Sequence, residues 1–186
     1  MERMGTTFPL TRRNRAGYRV EEVEQFLEDA RRAYDRPPEQ TGGLDSEAIR
    51  HTAFRMERGG YSTAHVDAAL ERLEDAFALR EREAACRTEG DKAWFGRARA
   101  SAEEILNRLA RPDHHRFARV GQLSEGYSRA EVDRFCARLR QFFREGENVS
   151  ADEVRTVAFR TQRGGYREQQ VDLFLDSVID VMLAVR

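Results

Sequence analysis

A Gly-Tyr pair recurs four times along the chain, at Gly17-Tyr18, Gly60-Tyr61, Gly126-Tyr127 and Gly165-Tyr166. The same residues follow it each time. Valine stands five residues after each tyrosine, as Val23, Val66, Val132 and Val171, and the next residue is always acidic: Glu24, Asp67, Asp133 and Asp172. Phe26, Ala69, Phe135 and Phe174 come two positions later, then Leu27, Leu70, Cys136 and Leu175. Tyr34, Phe77, Phe143 and Met182 close the pattern. The leads are of two kinds. A phenylalanine precedes the tyrosine by ten residues in the first and third segments (Phe8, Phe117) and by seven in the second and fourth (Phe54, Phe159). The second and fourth also share a helix-like lead, "SEAIRHTAF" and "ADEVRTVAF". The order is therefore A-B-A′-B′, a pair that was itself duplicated. Repetition of this density implies one supersecondary unit that must bury its apolar face against other copies of itself.

The spacing says what that unit is. Glycine before tyrosine points to a turn that needs positive φ or a close backbone approach. The tyrosine then lies one residue ahead of a helix start. With Ser62 as N-cap, Tyr61 and Val66 occupy the two ends of a hydrophobic staple, and the other segments fit the same geometry. Ser128 and Glu131 have capping-box spacing, whereas Arg19 and Arg167 are poor caps. After the staple, Val23, Phe26, Leu27, Ala30 and Tyr34 fall on one helical face. The repeated acid sits in the first turn, where the helix dipole favours a carboxylate, with a salt bridge to loop arginines as a further expectation. One such helix cannot bury its stripe alone; four in one chain can.

The fold class that follows is all-α: four repeated loop-helix units in two tandem pairs with a connecting helix, joined by short coiled-coil-like helix pairing. The boundaries read as 1–90 for the first pair, 91–111 for the connecting helix and 112–186 for the second pair. "DRPPEQTGGLDS" is a Pro/Gly-rich loop within the first pair. The connecting helix takes Asp91 as cap, presents Ala98, Ala102, Ile105 and Leu109 on one face, and ends before Arg111-Pro112.

Composition excludes several function classes. No apolar run approaches the roughly 20 residues of a membrane span, and "MERMGTTFPL" has no signal-peptide core, so a cytoplasmic location is expected. Cys86 and Cys136 cannot form a disulfide framework or a four-ligand zinc site. A net charge of −1 gives no global field for nucleic acid, and no nucleic-acid partner is expected. Of 32 basic residues only Lys92 is a lysine, a bias that reads as coding composition. No catalytic motif is present: there is no HExxH, CxxC, P-loop or GxGxxG, and His51, His65, His114 and His115 form no recognisable set. The reading is of a protein that is not an enzyme, with no catalytic residue, cofactor or metal.

The run "VRTVAFRTQRGGYREQQVDLFLDSV", and next to it "IRHTAFRMERGGYSTAHVDAALERL", resembles the N-terminal domain of DivIVA, the bacterial pole and septum scaffold. Its signature is an F…GY-x-x-x-x-V-D-x-F-L run, and the four units together cover most of the chain. The arginine-rich composition is similar to that of short actinobacterial members without a long tail. The resemblance implies a helical adaptor or scaffold in cell division or polar growth, peripheral to the membrane at septum or pole. In the family the domain dimerises as a parallel coiled coil and its loops meet the membrane through an exposed aromatic followed by arginine. Here the corresponding positions are Arg15, Arg58, Ser124 and Arg163, and no long heptad follows any unit. Pairing of units within one chain is the expectation in place of the family's two-chain dimer.

The candidate contact residues are the loop arginines Arg12, Arg13, Arg15, Arg55, Arg58, Arg160 and Arg163, for a protein partner or a weak contact with an anionic membrane surface. Lipid attraction is worth about 1 kcal/mol per basic residue, and stable anchoring usually takes two signals. The structural motif residues are Gly17, Tyr18 and Val23; Gly60, Tyr61, Val66 and Asp67; Gly126, Tyr127, Val132 and Asp133; and Gly165, Tyr166, Val171 and Asp172. The alternative is a soluble helical repeat protein with a regulatory or ligand-binding role unrelated to division, for instance around Trp94 and Phe95.

Overall fold

A computed structural model describes residues 7–37 and 41–185. The chain is mostly helical and divides into two compact units, residues 1–88 and 89–186. The first unit runs β1 (Ala16–Tyr18), α1 (Val20–Tyr34), α2 (Ser46–Arg50), β2 (Met56–Arg58) and α3 (Thr63–Glu89). The second runs α4 (Asp91–Leu109), β3 (Glu125–Tyr127), α5 (Arg129–Glu145), α6 (Ala151–Thr156), β4 (Thr161–Arg163) and α7 (Glu168–Ala184). Residues 38–40 of the Pro/Gly-rich link lie outside the described residues.

The helical expectation needs one amendment. Each unit also contains a small antiparallel ribbon, β1 with β2 and β3 with β4. Gly17-Tyr18 and Gly126-Tyr127 lie within three-residue strands, whereas before Gly60-Tyr61 and Gly165-Tyr166 a three-residue strand leads into a turn at Gly59 and Gly164. In the first ribbon Gly17 faces Glu57 and Tyr18 faces Met56; in the second Gly126 faces Gln162 and Tyr127 faces Thr161.

The helices follow the apolar stripes. In the first unit Val23 of α1, Tyr61 and Val66 of α3 form one buried cluster, with Leu27 and Leu70 against it. Ala33 of α1, Ile49 of α2 and Phe77 of α3 form another. The starts of α1 and α3 meet in the first cluster and their later turns in the second, so the two helices run in the same direction. The staple pair Tyr61 and Val66 is closed in that first cluster. In the second unit Val132, Leu139, Val171 and Val178 of α5 and α7 are all buried.

Residues 91–111, read as a connector, form α4, which packs against both α5 and α7 and is grouped with the second unit. Asp91 is the first helical residue rather than the cap; the N-cap is Gly90, with φ 85°. The indole Nε1 of Trp94 donates to the Ala184 carbonyl at the end of α7, at 3.3 Å. Position by position, α7 carries Phe174, Val181 and Leu183 where α3 has Ala69, Ala76 and Ala78. The larger side chains are buried on the helix that α4 covers.

Candidate interaction loops

The ribbons hold the Gly-Tyr segments in a reciprocal exchange. The Tyr18 amide donates to the Tyr61 carbonyl at 2.9 Å and the Tyr61 amide returns the bond at 2.8 Å; Tyr127 and Tyr166 do the same, both at 2.9 Å. This crossing explains the glycines. A Cβ on Gly17 would stand 2.3 Å from the Tyr61 carbonyl oxygen, and one on Gly126 would stand 2.2 Å from that of Tyr166. The requirement is thus close approach. In the second and fourth segments positive φ falls on the glycine before the Gly-Tyr pair, at Gly59 (72°) and Gly164 (62°).

Side chains repeat the exchange. Phe8 packs edge-on to Tyr61 and Tyr18 to Phe54; Phe117 packs against Tyr166 and Tyr127 against Phe159, with ring centroids 5.3–5.5 Å apart in all four pairs. Each phenol then finds the repeated acid of the opposite segment. Tyr61 donates to Glu24, and Tyr166 donates to Asp133 at 3.0 Å. Asp67 and Asp172 are the carboxylates that raise the Tyr18 and Tyr127 phenols. The repeated acid therefore faces a tyrosine of the opposite segment, and Asp133 also meets the guanidinium of a loop arginine, Arg116. Burial pushes the Tyr166 phenol up to about 12, and the Asp133 carboxylate adds to the rise. Burial also raises Tyr61, Tyr18 and Tyr127, each with its carboxylate contributing. The Tyr61 hydroxyl holds Glu24 below its ordinary value.

The helix starts are satisfied across the ribbon as well. The residue after each tyrosine donates its amide to the residue after the opposite phenylalanine, at 2.8 Å in all four cases: Arg19 to Arg55, Ser62 to Pro9, Ser128 to Arg160 and Arg167 to Ala118. In return, the side chain four residues after the tyrosine accepts an amide. Glu22 takes Arg55, Glu131 takes Arg160 and Gln170 takes Ala118, at 2.8–2.9 Å. The fourth case proves the rule. Pro9 has no amide to give, and the residue at that place is His65, whose Nδ1 lies 2.9 Å from Ser62 Oγ. The capping box expected at Ser128 does not form, because the Glu131 carboxylate is committed to Arg160.

This geometry divides the candidate arginines. Arg55 and Arg160 sit beside the helix starts, their side chains 3.6 Å from Glu22 and 3.3 Å from Glu131. Arg12, Arg13, Arg15 and Arg58 gather at the other end of the first ribbon. The Gly59 amide bonds the Arg15 carbonyl there at 2.9 Å, and Gly59 lies against the Arg13 backbone. All four side chains are exposed and pair with no carboxylate among the described residues. In the second ribbon Arg163 stands opposite Glu125. The loop that corresponds to Arg12–Arg15 reads Gly121, Gln122, Leu123, Ser124. Leu123 is 90% exposed, more than any other large hydrophobic residue described. It lies one position before Ser124, the place that the family resemblance gives to an aromatic, and its sequence signal is a lone leucine in a Gly/Ser loop.

Below the second ribbon lies a buried charge cluster. Arg116 bonds Asp133 at 2.7 Å and Asp113 at 2.6 Å, and the His114 amide bonds Asp133 at 2.8 Å. Neighbouring Cys136 is held by burial at a pKa of about 12, which keeps it a thiol. Among the described residues no group of three His, Cys, Asp or Glu side chains is placed to hold a metal ion, and no helix is long and apolar enough to cross a membrane. No protein-family model, curated protein or solved structure matches the chain.

Proposed function

We propose that the protein is a non-enzymatic adaptor of the DivIVA kind, built from four copies of one loop-helix unit in two tandem pairs. It works in bacterial cell division or polar growth, through contacts with a protein partner and a weak contact with anionic membrane surface at septum or pole. The observation that carries this reading is the contrast between a closed interior and its outward turns. The phenols, repeated acids and staple valines are consumed in intramolecular exchange. The ribbon ends keep four exposed arginines in one unit, and the exposed Leu123 in the loop before β3 of the other. A cationic cluster, in the first unit, and an apolar tip, in the second, are each a kind of signal that surface attachment uses.

A fluorescent fusion of the full chain tests the cellular reading: foci at septum or pole are expected, and a uniformly diffuse signal overturns it. Flotation with acidic liposomes at low and moderate salt tests the surface contact. Binding at low salt should weaken in Arg12→Gln/Arg13→Gln/Arg15→Gln/Arg58→Gln and in Leu123→Ser. No flotation of the parent at low salt removes the membrane from the proposal.

A further inference from the structure

The second unit contains an arginine site filled from within, and the first unit contains the same site without its arginine. In the second unit the Arg138 guanidinium lies over the Phe135 ring, 5.9 Å from its centroid, and its Nη1 is 2.5 Å from Glu153 Oε1. Phe135 is buried beneath it and meets Phe159 edge-on. In the first unit Phe26 and Phe54 make the same edge contact, at 5.6 Å. But Asp29 stands where Arg138 does, each eleven residues after its tyrosine, and Ala48 stands where Glu153 does. No arginine lies over Phe26 among the described residues. What remains is an open cleft of about 580 Å³ with Phe26 and Phe54 in its lining, together with Glu21, Glu22, Asp29 and Arg19. The lining holds three carboxylates against one guanidinium, with Arg55 beside Glu22 at 3.6 Å and Arg32 beside Asp29 at 2.9 Å at its edge.

We infer that this cleft on α1 receives an arginine side chain from a partner protein, with the guanidinium over Phe26 and paired to Asp29 and Glu22. The size is that of a ligand site, about 300–1,000 Å³. A planar guanidinium suits an aromatic face and a carboxylate fork better than an ammonium does. Glu22 is already fixed, since its Oε2 accepts the Arg55 amide at 2.9 Å. Asp29 now bonds Gln25 at 3.1 Å and Arg32 at 2.9 Å; both are exposed surface contacts that an incoming arginine can replace at little cost. The inference stands apart from the membrane and division reading, because it uses neither the ribbon ends nor Leu123.

The test is fluorescence anisotropy of the full chain with a labelled Gly/Ser peptide carrying three arginines, against its lysine and alanine analogues. The arginine peptide should saturate, and the lysine peptide should bind at least ~5-fold more weakly. Asp29→Arg/Ala48→Glu rebuilds the internal pair of the second unit and should abolish saturation with an unchanged circular dichroism spectrum. Phe26→Leu should weaken binding several-fold. Equal binding of arginine and lysine peptides, binding that survives Asp29→Arg/Ala48→Glu, or no saturation below about 1 mM would each overturn the inference. So would a parent dimer that this double variant dissolves while no peptide binds, which would give the cleft to a second copy of the chain.

Discussion

The two units make the same backbone exchange but place their buried charge differently. In the first, Arg50 and Glu74 form a buried pair at 2.8 Å, their side chains only 7% and 3% exposed. In the second, Ile179 stands thirteen residues after Tyr166, where Glu74 follows Tyr61, and Arg155 pairs with Asp152 of its own helix. Conversely, Asp133 has a buried Arg116 beside it, whereas Glu24 has Thr7, whose amide bonds the Tyr61 hydroxyl. What is common to both is the tyrosine exchange, the glycines it requires and a carboxylate that acts on each phenol. The rest of the interior accepts either an ion pair or an apolar side chain, as expected when a buried pair contributes little net stability against a hydrophobic replacement.

The largest effects should fall on the shared part. Gly17→Ala and Gly126→Ala each drive a Cβ into a backbone carbonyl, and each should lose at least ~3 kcal/mol in urea unfolding. Very unequal losses would break the equivalence of the two ribbons. Next come the differing interiors. Glu74→Ala removes the 2.8 Å partner of the buried Arg50 and should cost ~3–5 kcal/mol, while Arg50→Met/Glu74→Ile, apolar at both positions, should stay within ~1 kcal/mol of the parent. Likewise Asp133→Ala should cost ~3–5 kcal/mol through Arg116, against ~1 kcal/mol for Glu24→Ala. A smaller effect is set by pH. The folded Tyr166 phenol titrates at about 12, above its ordinary 10.0. Its contribution is thus complete below the ordinary value and is lost as pH rises through the folded one. Tyr166→Phe should remove that alkaline loss, read as urea midpoints across this range. The smallest is chemical: a thiol reagent at mild pH should modify Cys86 and spare Cys136 until the chain unfolds.

The helices were legible in the sequence because their stripes run for several turns, and the staple because Tyr61 and Val66 are near neighbours in the chain. The ribbons were not. Three residues are too few to show alternation, which needs four to eight. Their partners also lie a helix and a loop away. The same distance hid the work of the repeated acid. Locally, Glu24 and Asp133 read as first-turn carboxylates, and only the folded chain shows that each faces a tyrosine from the other segment. Glu131 was assigned to Ser128 for the same reason, since a local rule had no competitor in view until Arg160 arrived across the ribbon. The seven loop arginines looked like one group, and the strand direction sends Arg55 and Arg160 to one end of the ribbon and Arg58 and Arg163 to the other. Yet one long-range rule was written in the sequence. Proline after Phe8 coincides with histidine, not an acceptor such as Glu or Gln, four residues after Tyr61.

Because the Tyr61 phenol lies 37 residues from Glu24 and the Tyr166 phenol 33 residues from Asp133, half a ribbon has nothing to close on. While the chain emerges from the ribosome, α1 must wait with its apolar stripe uncovered until α3 through Phe77 follows it out. Nascent chains halted before Gly60 should therefore be the ones that proteases cut and chaperones hold, and that vulnerability should end once Phe77 has emerged.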